Sequence, residues 1–463
     1  MYKVPADFIN EKGIWNVLEN NQNPEPSRIK EVLNKATEMK GLSLEEVAVL
    51  TCIHEPEMLE ELFNTANKVK ETIYGKRLVL FAPLYISNLC ANECLYCAFR
   101  ASNNAINRHA LPQEHIAREV EVLIKQGHKR ILLVAGESYP KEGLQYVLDA
   151  VKTIYSVKSE HGEIRRVNIN LAPLTVDEFK LLKAEGIGTY QIFQETYHRE
   201  TYLKVHKGGK KRDYNWRVWS LHRAMEAGID DVGIGVLFGL FDYRFEILAM
   251  MQHINELEDK FGVGPHTISV PRIEPATNSD LASHPPYPVS DEDFKKIVAI
   301  LRLAVPYTGI IMSTRETAKM RRETFAMGVS QISAGSKTNP GGYEEEDEVS
   351  GQFSLGDHRS LDEVIRDVAS MGYIPSFCTA CYRLGRTGQD FMDLAKPGDI
   401  KLHCGPNALS SFKEYLQNFA SSETAEIGNR MIRKSIEEMS GIAKQRAKKL
   451  VKRVEAGRDD VYC

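Results

Sequence analysis

Between residues 78 and 336 the chain alternates short apolar runs, rich in β-branched residues, with longer amphipathic stretches. Apolar runs of this length are typical of strands that are buried on both faces of a parallel sheet. The predicted strands are Leu78–Ser87, Arg130–Glu137, Arg166–Ala172, Thr189–Thr196, Val232–Leu240, His266–Glu274, Gly309–Glu316 and Val329–Ala334.

The stretches between these runs carry apolar residues three or four positions apart, which is the period of an amphipathic helix. The predicted helices are Glu114–Gln126, Gly143–Ser159, Val176–Glu185, Asn215–Ala227, Tyr243–Phe261, Asp291–Val305 and Thr317–Met327. Thr175 with Glu178 fits a capping box, and Ser290 is placed to cap the helix beginning near Asp291. Eight such units in about 250 residues predict an α/β fold, a closed (β/α)8 barrel of the TIM type. A doubly wound open sheet shows the same alternation, and the count of eight favours the barrel.

The pattern changes on both sides of this region. The predicted parts are a helical N-terminal extension (1–77), the barrel (78–336) and a C-terminal domain (337–463). The last part opens with Lys337–Gly351, whose acidic run Glu344–Glu348 indicates an exposed loop. A helix at Leu361–Met371, a cysteine-bearing stretch and a long helical region follow. The basic segment Gly441–Gly457 is expected to be a solvated helix face.

Composition narrows the class of protein. The chain has 59 basic and 63 acidic residues, a net charge of -4, which argues against nucleic-acid binding. It contains no apolar stretch long enough for a membrane helix, and Met1–Glu11 lacks the apolar core of a secretory signal. We therefore expect a cytoplasmic protein that does not use membranes. In that compartment its eight cysteines are better interpreted as thiols or metal ligands than as disulfides.

Three cysteines form the tight group Cys90-x3-Cys94-x2-Cys97, directly after the first predicted strand. In a barrel this loop lies at the C-terminal mouth, where barrel enzymes keep their chemistry. Structural zinc usually takes four ligands, whereas three thiolates fit an iron–sulfur cube with one open iron. Zinc completed by a distant histidine such as His109 remains the alternative.

A second group, Cys378-x2-Cys381-x22-Cys404, lies in the C-terminal part. Zinc completed by His403 or His358 competes here, but beside a first three-cysteine site a second cluster is favoured. The remaining cysteines are Cys52, expected to be an inert small hydrophobe in a helical stretch, and Cys463, expected to be incidental.

The loop Ser87–Cys97 closely resembles the cluster loop of the radical S-adenosylmethionine (SAM) superfamily, including the aromatic Tyr96 before the third cysteine. The resemblance implies a 4Fe-4S cluster on Cys90, Cys94 and Cys97, whose open iron binds the amino and carboxylate groups of SAM. It therefore also implies a radical SAM barrel as the fold.

Other superfamily marks follow at the ends of later predicted strands. Gly136 and Glu137, followed by Ser138, resemble the motif that binds the methionine amino group of SAM. By the same resemblance Glu195 matches the ribose-binding acid and Arg217 the arginine that contacts the SAM carboxylate. Taken singly, strand-end carboxylates more often pair with neighbouring arginines, but their recurrence at successive strand ends favours a site.

The run Gly233-x-Gly235-x3-Gly239 lies within a predicted strand and has the wrong spacing for a dinucleotide fingerprint. Small residues there, Gly235 among them, would let an adenine lie against the strand, as the superfamily resemblance also implies.

Within that superfamily the chain resembles the HydG family, tyrosine lyases that mature FeFe-hydrogenases. The matching segments are Val134–Ser138, Gln194–His198, Asp230–Gly239, Gly264–Arg272 and Met312–Glu316. The second cysteine group matches the auxiliary-cluster motif of this family in spacing and position. The thiazole-forming ThiH family has similar lyase chemistry and lacks that cluster.

The HydG resemblance implies that a radical derived from SAM attacks L-tyrosine, which breaks into p-cresol and dehydroglycine. Dehydroglycine would then yield CO and cyanide on an extra, labile iron at a second 4Fe-4S cluster held by Cys378, Cys381 and Cys404. The same resemblance makes His266 the protein ligand of that iron, although a histidine at a strand start is ordinarily a surface or capping residue. A position at the N-terminal end of its strand would place the two clusters at opposite mouths, joined by an internal passage.

Arg315 is the candidate for the tyrosine carboxylate, because its planar fork binds carboxylates bidentately, and Ser313 is the candidate for an added hydrogen bond. A buried Arg315 paired with Glu316 is the structural alternative. The expected partners are L-tyrosine, an external electron donor and hydrogenase maturation proteins. The competing functions are a ThiH-like lyase that stops at 2-iminoacetate and a zinc-stabilised scaffold without catalysis.

Overall fold

The computed structural model describes residues 7–345 and 350–463. Its centre is a closed barrel of eight parallel strands, in which the eighth strand pairs with the first. The strands are β1 (Arg77–Ser87), β2 (Arg130–Ala135), β3 (Arg166–Asn170), β4 (Tyr190–Gln191), β5 (Val232–Gly235), β6 (Thr267–Ser269), β7 (Gly309–Met312) and β8 (Val329–Ser333). The predicted (β/α)8 fold is confirmed.

Several strands are shorter than the apolar runs that predict them. The residues that follow β4, β5 and β6 leave the regular ladder; they are joined by the isolated bridges Glu195 to Val236 and Phe238 to Arg272, and by further backbone hydrogen bonds such as Gln194 N to Gly235 O (3.0 Å). These segments instead form the wall of the C-terminal mouth. Their apolar sequence therefore reflects burial rather than continued strand pairing.

The first strand is the longest and has different neighbours along its length. Its start, Arg77–Val79, pairs with a ninth strand, β9 (Ile374–Ser376), while Ala82–Ser87 pairs with β2. Since Cys378 follows β9 by two residues, this pairing carries the second cysteine group to the N-terminal end of the barrel. A small antiparallel hairpin joins Lys158–Ser159 to Gly162–Glu163.

The helices surround the barrel and extend it at both ends of the chain. Four precede β1: α1 (Glu11–Asn20), α2 (Pro26–Ala36), α3 (Leu44–Thr51) and α4 (Pro56–Tyr74). Those of the barrel region are α5 (Gln113–Lys125), α6 (Leu144–Ser156), α7 (Val176–Ala184), α8 (Arg199–Val205), α9 (Tyr214–Val218), α10 (Ser220–Glu226), α11 (Tyr243–Phe261), α12 (Asp280–Ser283), α13 (Asp291–Ala304) and α14 (Ala318–Phe325), with a 3-10 turn at Lys210–Arg212. The remainder are α15 (Leu361–Ser370), α16 (Ala380–Arg383), α17 (Gly388–Ala395), α18 (Lys401–Asn418), α19 (Ser422–Glu438) and α20 (Gly441–Glu455).

The local signals for helix starts agree with the structure. Thr175 and Glu178 form the capping box of α7, and the Ser290 side chain accepts from the Asp293 amide at the start of α13. The predicted helix Asn215–Ala227 is two helices, α9 and α10, separated at Trp219. No helix in the two described ranges is long and apolar enough to cross a membrane. Of the predicted acidic loop, Glu346–Glu348 lie outside the described residues, and the three-part division of the chain stays a prediction.

Candidate active site

The first cysteine group lies on a loop that is fixed from several sides. The Leu95 amide donates to Val205 O (2.9 Å), and the Ala98 amide donates to Gln352 O (3.4 Å). Cys94 is buried, while Cys90 and Cys97 are half-buried. All three line a cavity of about 180 Å³ at the C-terminal mouth of the barrel.

The chemistry of this donor set fits a metal cluster. Burial raises the pKa of the Cys97 thiol to about 11 and lifts the pKa values of Cys90 and Cys94 above the ordinary range as well. Without a cation the three thiols would therefore stay protonated at neutral pH, and metal binding supplies the positive charge that makes them thiolates. The loop also depends on Gly136, since a Cβ there would lie 2.2 Å from Leu89 O.

A buried network of two carboxylates and two cations covers one side of the cavity. Glu137 Oε1 lies 2.9 Å from Arg217 Nη1, and Glu195 Oε1 lies 2.7 Å from Lys211 Nζ. Arg217 also reaches Glu195 (3.4 Å) and donates from Nε to Phe193 O (2.7 Å). Glu195 holds its place with a left-handed backbone, φ 71°.

The members of this network keep each other charged. Burial opposes the ionisation of Glu137, but Arg217 and Lys211 hold the pKa of its carboxyl below the usual value. Burial likewise opposes the charge on Arg217, yet the two carboxylates raise its pKa above the ordinary range. The wall of the cavity thus offers paired charges of both signs, which suits a zwitterionic ligand.

Five of the seven residues predicted to bind SAM line this cavity: Tyr96, Gly136, Glu137, Glu195 and Arg217. Ser138 and Gly235 stand behind its wall. The Ser138 amide donates to Leu89 O (3.2 Å), and a Cβ on Gly235 would lie 2.7 Å from Ser269 O. The phenol of Tyr96 lies 2.8 Å from His206 Nε2, and because His206 Nδ1 faces the Tyr202 carbonyl, the phenol is the donor.

Arg315 and Ser313 follow β7 and line the same cavity. The Arg315 guanidinium lies 3.3 Å from the ring centroid of Phe353, and its amide donates to Ser313 Oγ (3.3 Å). Glu316 is not its partner, because Glu316 binds Arg272 (Nε–Oε1 2.9 Å). In the part of the chain that the structure describes, no carboxylate lies within ion-pair distance of Arg315, so its charge is available to a ligand.

The second cysteine group lies at the opposite end of the barrel. Cys378, Cys381 and Cys404 line a cavity of about 40 Å³ together with Arg77, Arg130 and His266. Cys378 follows β9, Cys381 lies on α16 and Cys404 on α18. The cavity therefore joins three C-terminal elements to the starts of the barrel strands.

Three arginines line this cavity beside the thiols, and within the described ranges none of them forms an ion pair with an Asp or Glu side chain. The buried Nε atoms of Arg77, Arg130 and Arg386 have no hydrogen-bond acceptor. The hydrogen bond from Cys381, helped by Arg77 and despite burial, holds the pKa of Cys404 below its ordinary value. Unmatched positive charge next to three thiols fits an anionic cluster with thiolate ligands.

The histidines proposed to complete a zinc site do not line either cavity. His109, His358 and His403 are absent from the walls of both. Across the described ranges, no three His, Cys, Asp or Glu side chains are close enough to hold a single metal ion.

His266 precedes β6 at the N-terminal mouth. Its Nδ1 lies 3.6 Å from Asp231 Oδ1, and its ring packs on Phe391 with 4.4 Å between centroids. Burial lowers the pKa of the imidazole, which is therefore neutral and able to donate a lone pair. The structure thus brings His266 to the same cavity as the second cysteine group.

The two cavities follow one another along the barrel interior. On β1 the inward residue Val79 lines the second cavity, and the next inward residue, Phe81, lines the first. On β7, Gly309 likewise lines the second cavity and Ile311 lines the first. Since β1 has 11 residues, the two mouths are about 30 Å apart along it.

Comparison with known proteins agrees with this arrangement. The profile of the Radical SAM superfamily matches residues 84–254, and that of the Biotin and Thiamin Synthesis associated domain matches residues 269–374. The crystal structure of HydG, a maturase of the FeFe-hydrogenase, is 49% identical with a TM-score of 0.96, covering 99% of this chain and 100% of that one. The chain belongs to the HydG family of radical SAM proteins.

Two further proteins are similar to this HydG-family chain over most of its length. The FeFe-hydrogenase maturase HydG from Carboxydothermus hydrogenoformans is 42% identical with a TM-score of 0.84, covering 95% of this chain and 96% of that one. The 2-iminoacetate synthase of Salmonella typhimurium is 30% identical over 358 residues, which cover 77% of this chain and 92% of that protein.

Sequence reasoning missed several residues that the HydG-family fold brings to the two sites. Lys211 stands in a basic run between helices, and Gln352 follows the acidic loop. Arg77 and Arg130 are the first residues of β1 and β2, and the apolar pattern of those strands gives no sign of a role for a charged residue at their start. None of these residues belongs to a local motif, so only their position in the folded chain identifies them.

Proposed function

We propose that this HydG-family protein cleaves L-tyrosine to p-cresol and dehydroglycine and converts dehydroglycine into CO and cyanide that leave bound to iron. One observation carries the proposal: two groups of three cysteines lie at opposite mouths of one barrel, next to cavities that share its strands. An external electron donor and hydrogenase maturation proteins are the partners that this function needs.

At the C-terminal mouth Cys90, Cys94 and Cys97 would hold a 4Fe-4S cluster, and Glu137, Glu195 and Arg217 would contact SAM. Together these groups, when bound, supply the radical that begins the cleavage. The protein side chains enclose the cavity, orient the bound molecules and keep water away from reactive species.

Arg315 would bind the tyrosine carboxylate in the same cavity, with Ser313 beside it. Phe353, stacked on the guanidinium, holds the fork in place. Glu274 also lines this cavity, and burial, helped by Glu316, raises the pKa of its carboxyl to about 6. Above that pH Glu274 offers a negative charge to the substrate ammonium group.

At the N-terminal mouth Cys378, Cys381 and Cys404 would hold a second 4Fe-4S cluster, and the neutral His266 would bind an additional labile iron. A cluster there supplies the iron that carries CO and cyanide. Arg77, Arg130 and Arg386 would balance the negative charge of the thiolates.

The 2-iminoacetate synthases favour a second candidate, a lyase that stops after the first cleavage. The two functions differ in their need for the second cavity. A scaffold without catalysis has no comparable support, because the family is one of radical SAM proteins.

The test is anaerobic incubation with reductant, SAM and L-tyrosine, with p-cresol and CO measured in the same sample. We expect both products from the wild-type protein. The pair Cys378→Ala and Cys381→Ala should abolish CO and spare most p-cresol, while Cys52→Ala, a matched control outside both cavities, should leave both. Wild-type protein that makes p-cresol but no CO would favour the second candidate.

A further inference from the structure

Gln352 joins the cluster loop to the wall of the first cavity. Its backbone is held on both sides, because its amide donates to Thr338 O (3.0 Å) and its carbonyl accepts from the Ala98 amide (3.4 Å). This double attachment fixes the backbone from which the side chain extends. It points at the first cysteine group, and Gln352 lines the cavity with Cys97 and Tyr85.

The two ends of the Gln352 amide contact different groups. Oε1 accepts from the Tyr85 hydroxyl at 2.8 Å, and Nε2 lies 3.7 Å from Cys97 Sγ. The Tyr85 ring is itself fixed, since it is buried and packs edge-on against Phe99 with centroids 6.0 Å apart. The hydroxyl thereby orients the amide.

Charge selects the same orientation. A thiolate at Cys97 attracts the N–H end of an amide and repels the carbonyl end, so Nε2 faces the sulfur. Among the described residues Gln352 is the side chain that hydrogen-bonds a thiol of this group; the remaining contacts come from backbone amides.

A hydrogen-bond donor to a cluster ligand changes the reduction potential of the cluster more than it changes the stability of the fold. Reduction adds negative charge that is shared with the thiolate sulfurs, and a hydrogen bond to sulfur stabilises the reduced state more than the oxidised one. We propose that Gln352 is a positioning residue that raises the reduction potential of the first iron–sulfur cluster through the Nε2–Cys97 Sγ hydrogen bond. The inference rests on the proposed assignment of that cluster to Cys90, Cys94 and Cys97.

The experiment compares wild-type holoprotein with Gln352→Met, which keeps the volume and removes both amide groups. The midpoint potential of each cluster is followed by EPR during a redox titration, and the first cluster is recognised by the change of its spectrum when SAM is added. We expect its potential to become more negative in Gln352→Met, with the second cluster unchanged. A second variant, Gln352→Glu, still accepts from Tyr85 but has no N–H, and should shift the potential in the same direction.

Gln145→Met is the matched control, because it makes the same substitution at an exposed residue of α6 whose amide donates to Asp149 (2.8 Å) and not to a thiol, and its potential should equal the wild-type value. An unchanged potential in a fully loaded Gln352→Met protein would overturn the proposal. Loss of the first cluster from both variants, seen as missing iron, would also overturn it, since Gln352 would then serve assembly. A wild-type protein without any SAM-responsive signal would contradict the cluster assignment and not the hydrogen bond.

Discussion

At the scale of single residues, the free charge of Arg315 gives the proposed function its sharpest test. Arg315→Lys keeps the charge but loses the planar fork, which costs about 1–3 kcal/mol of substrate binding. We expect the KM for tyrosine to rise by about fivefold or more while the KM for SAM stays constant. Initial rates of p-cresol formation, measured against tyrosine concentration and separately against SAM concentration, give the two KM values.

Arg118→Lys is the matched control, since Arg118 forms a surface pair with Glu344 (2.7 Å) away from the cavity. An unchanged tyrosine KM in Arg315→Lys would assign the substrate carboxylate to another group.

Glu246 on α11 makes stability depend on pH. Burial raises the pKa of its carboxyl to about 8, and the side chain contacts Thr196 and accepts from the Tyr197 amide (2.8 Å). The folded state therefore keeps a proton that the unfolded chain releases above its ordinary pKa near 4.5. The contribution of Glu246 to stability is greatest below that value and falls by about 1.4 kcal/mol per pH unit as the pH rises toward 8.

Glu246→Gln should make this slope shallower by the contribution of one carboxyl, measured as the urea midpoint of unfolding between pH 5 and 8. Glu256→Gln, on the same helix at a partly exposed position, serves as control and should keep the wild-type slope. A wild-type midpoint that does not fall over this range would contradict the expectation.

Some site residues belong to a local sequence motif, and others reach the site only in the folded chain. Cys90, Cys94 and Cys97 were predictable because one loop holds all three at a recognisable spacing. Gln352 was not, because it meets Cys97 across 255 positions of sequence. Lys211 likewise gains its role only through ion pairs made in the folded chain. The ligand roles of the predicted residues remain predictions.

At the scale of elements, the turn after β2 and the cluster loop must touch. A Cβ on Gly136 would lie 2.2 Å from Leu89 O, and backbone cannot yield as a flexible side chain can. Gly136→Ala should therefore displace the loop and cost the first cluster, about half of the iron that two clusters bring. Iron analysis after anaerobic reconstitution measures the loss.

Gly208→Ala is the matched control, because the nearest atom to its new Cβ is the Glu93 side chain at 3.4 Å. Full iron content in Gly136→Ala would show that the loop can move without losing the cluster.

Hydrophobic period predicted the existence and order of the barrel elements but not all their limits. The run Thr189–Thr196 contributes only Tyr190 and Gln191 to the ladder, because its later residues form the mouth of the cavity. Residues buried in the cavity wall and residues buried in a strand give the same apolar pattern in the sequence. The break at Trp219 is also invisible to that pattern, since both α9 and α10 keep a buried face.

At the scale of the whole molecule, the two cavities approach each other along the first half of β1. Val79 lines the second and Phe81 the first, so a larger side chain at Val79 would obstruct a passage between them. We expect Val79→Phe to lower CO severalfold relative to p-cresol, because dehydroglycine would escape to solvent and hydrolyse to glyoxylate. Gas and product analysis of one reaction gives the ratio.

Val79→Ile adds a single methylene group and should leave the ratio near the wild-type value. Equal loss of both products in a folded Val79→Phe protein would show that the substitution harms the first site and not a passage.

The double use of β1 has a consequence for how the two proposed steps would be coupled. One strand begins among the residues of the second cavity and ends in the loop that carries the first cysteine group. The distance between the two cavities is therefore set by the number of residues in this strand. A metabolite that moved from one cavity to the other would travel a distance fixed by the rise per residue of a β-strand. No hinge or flexible linker could change that distance.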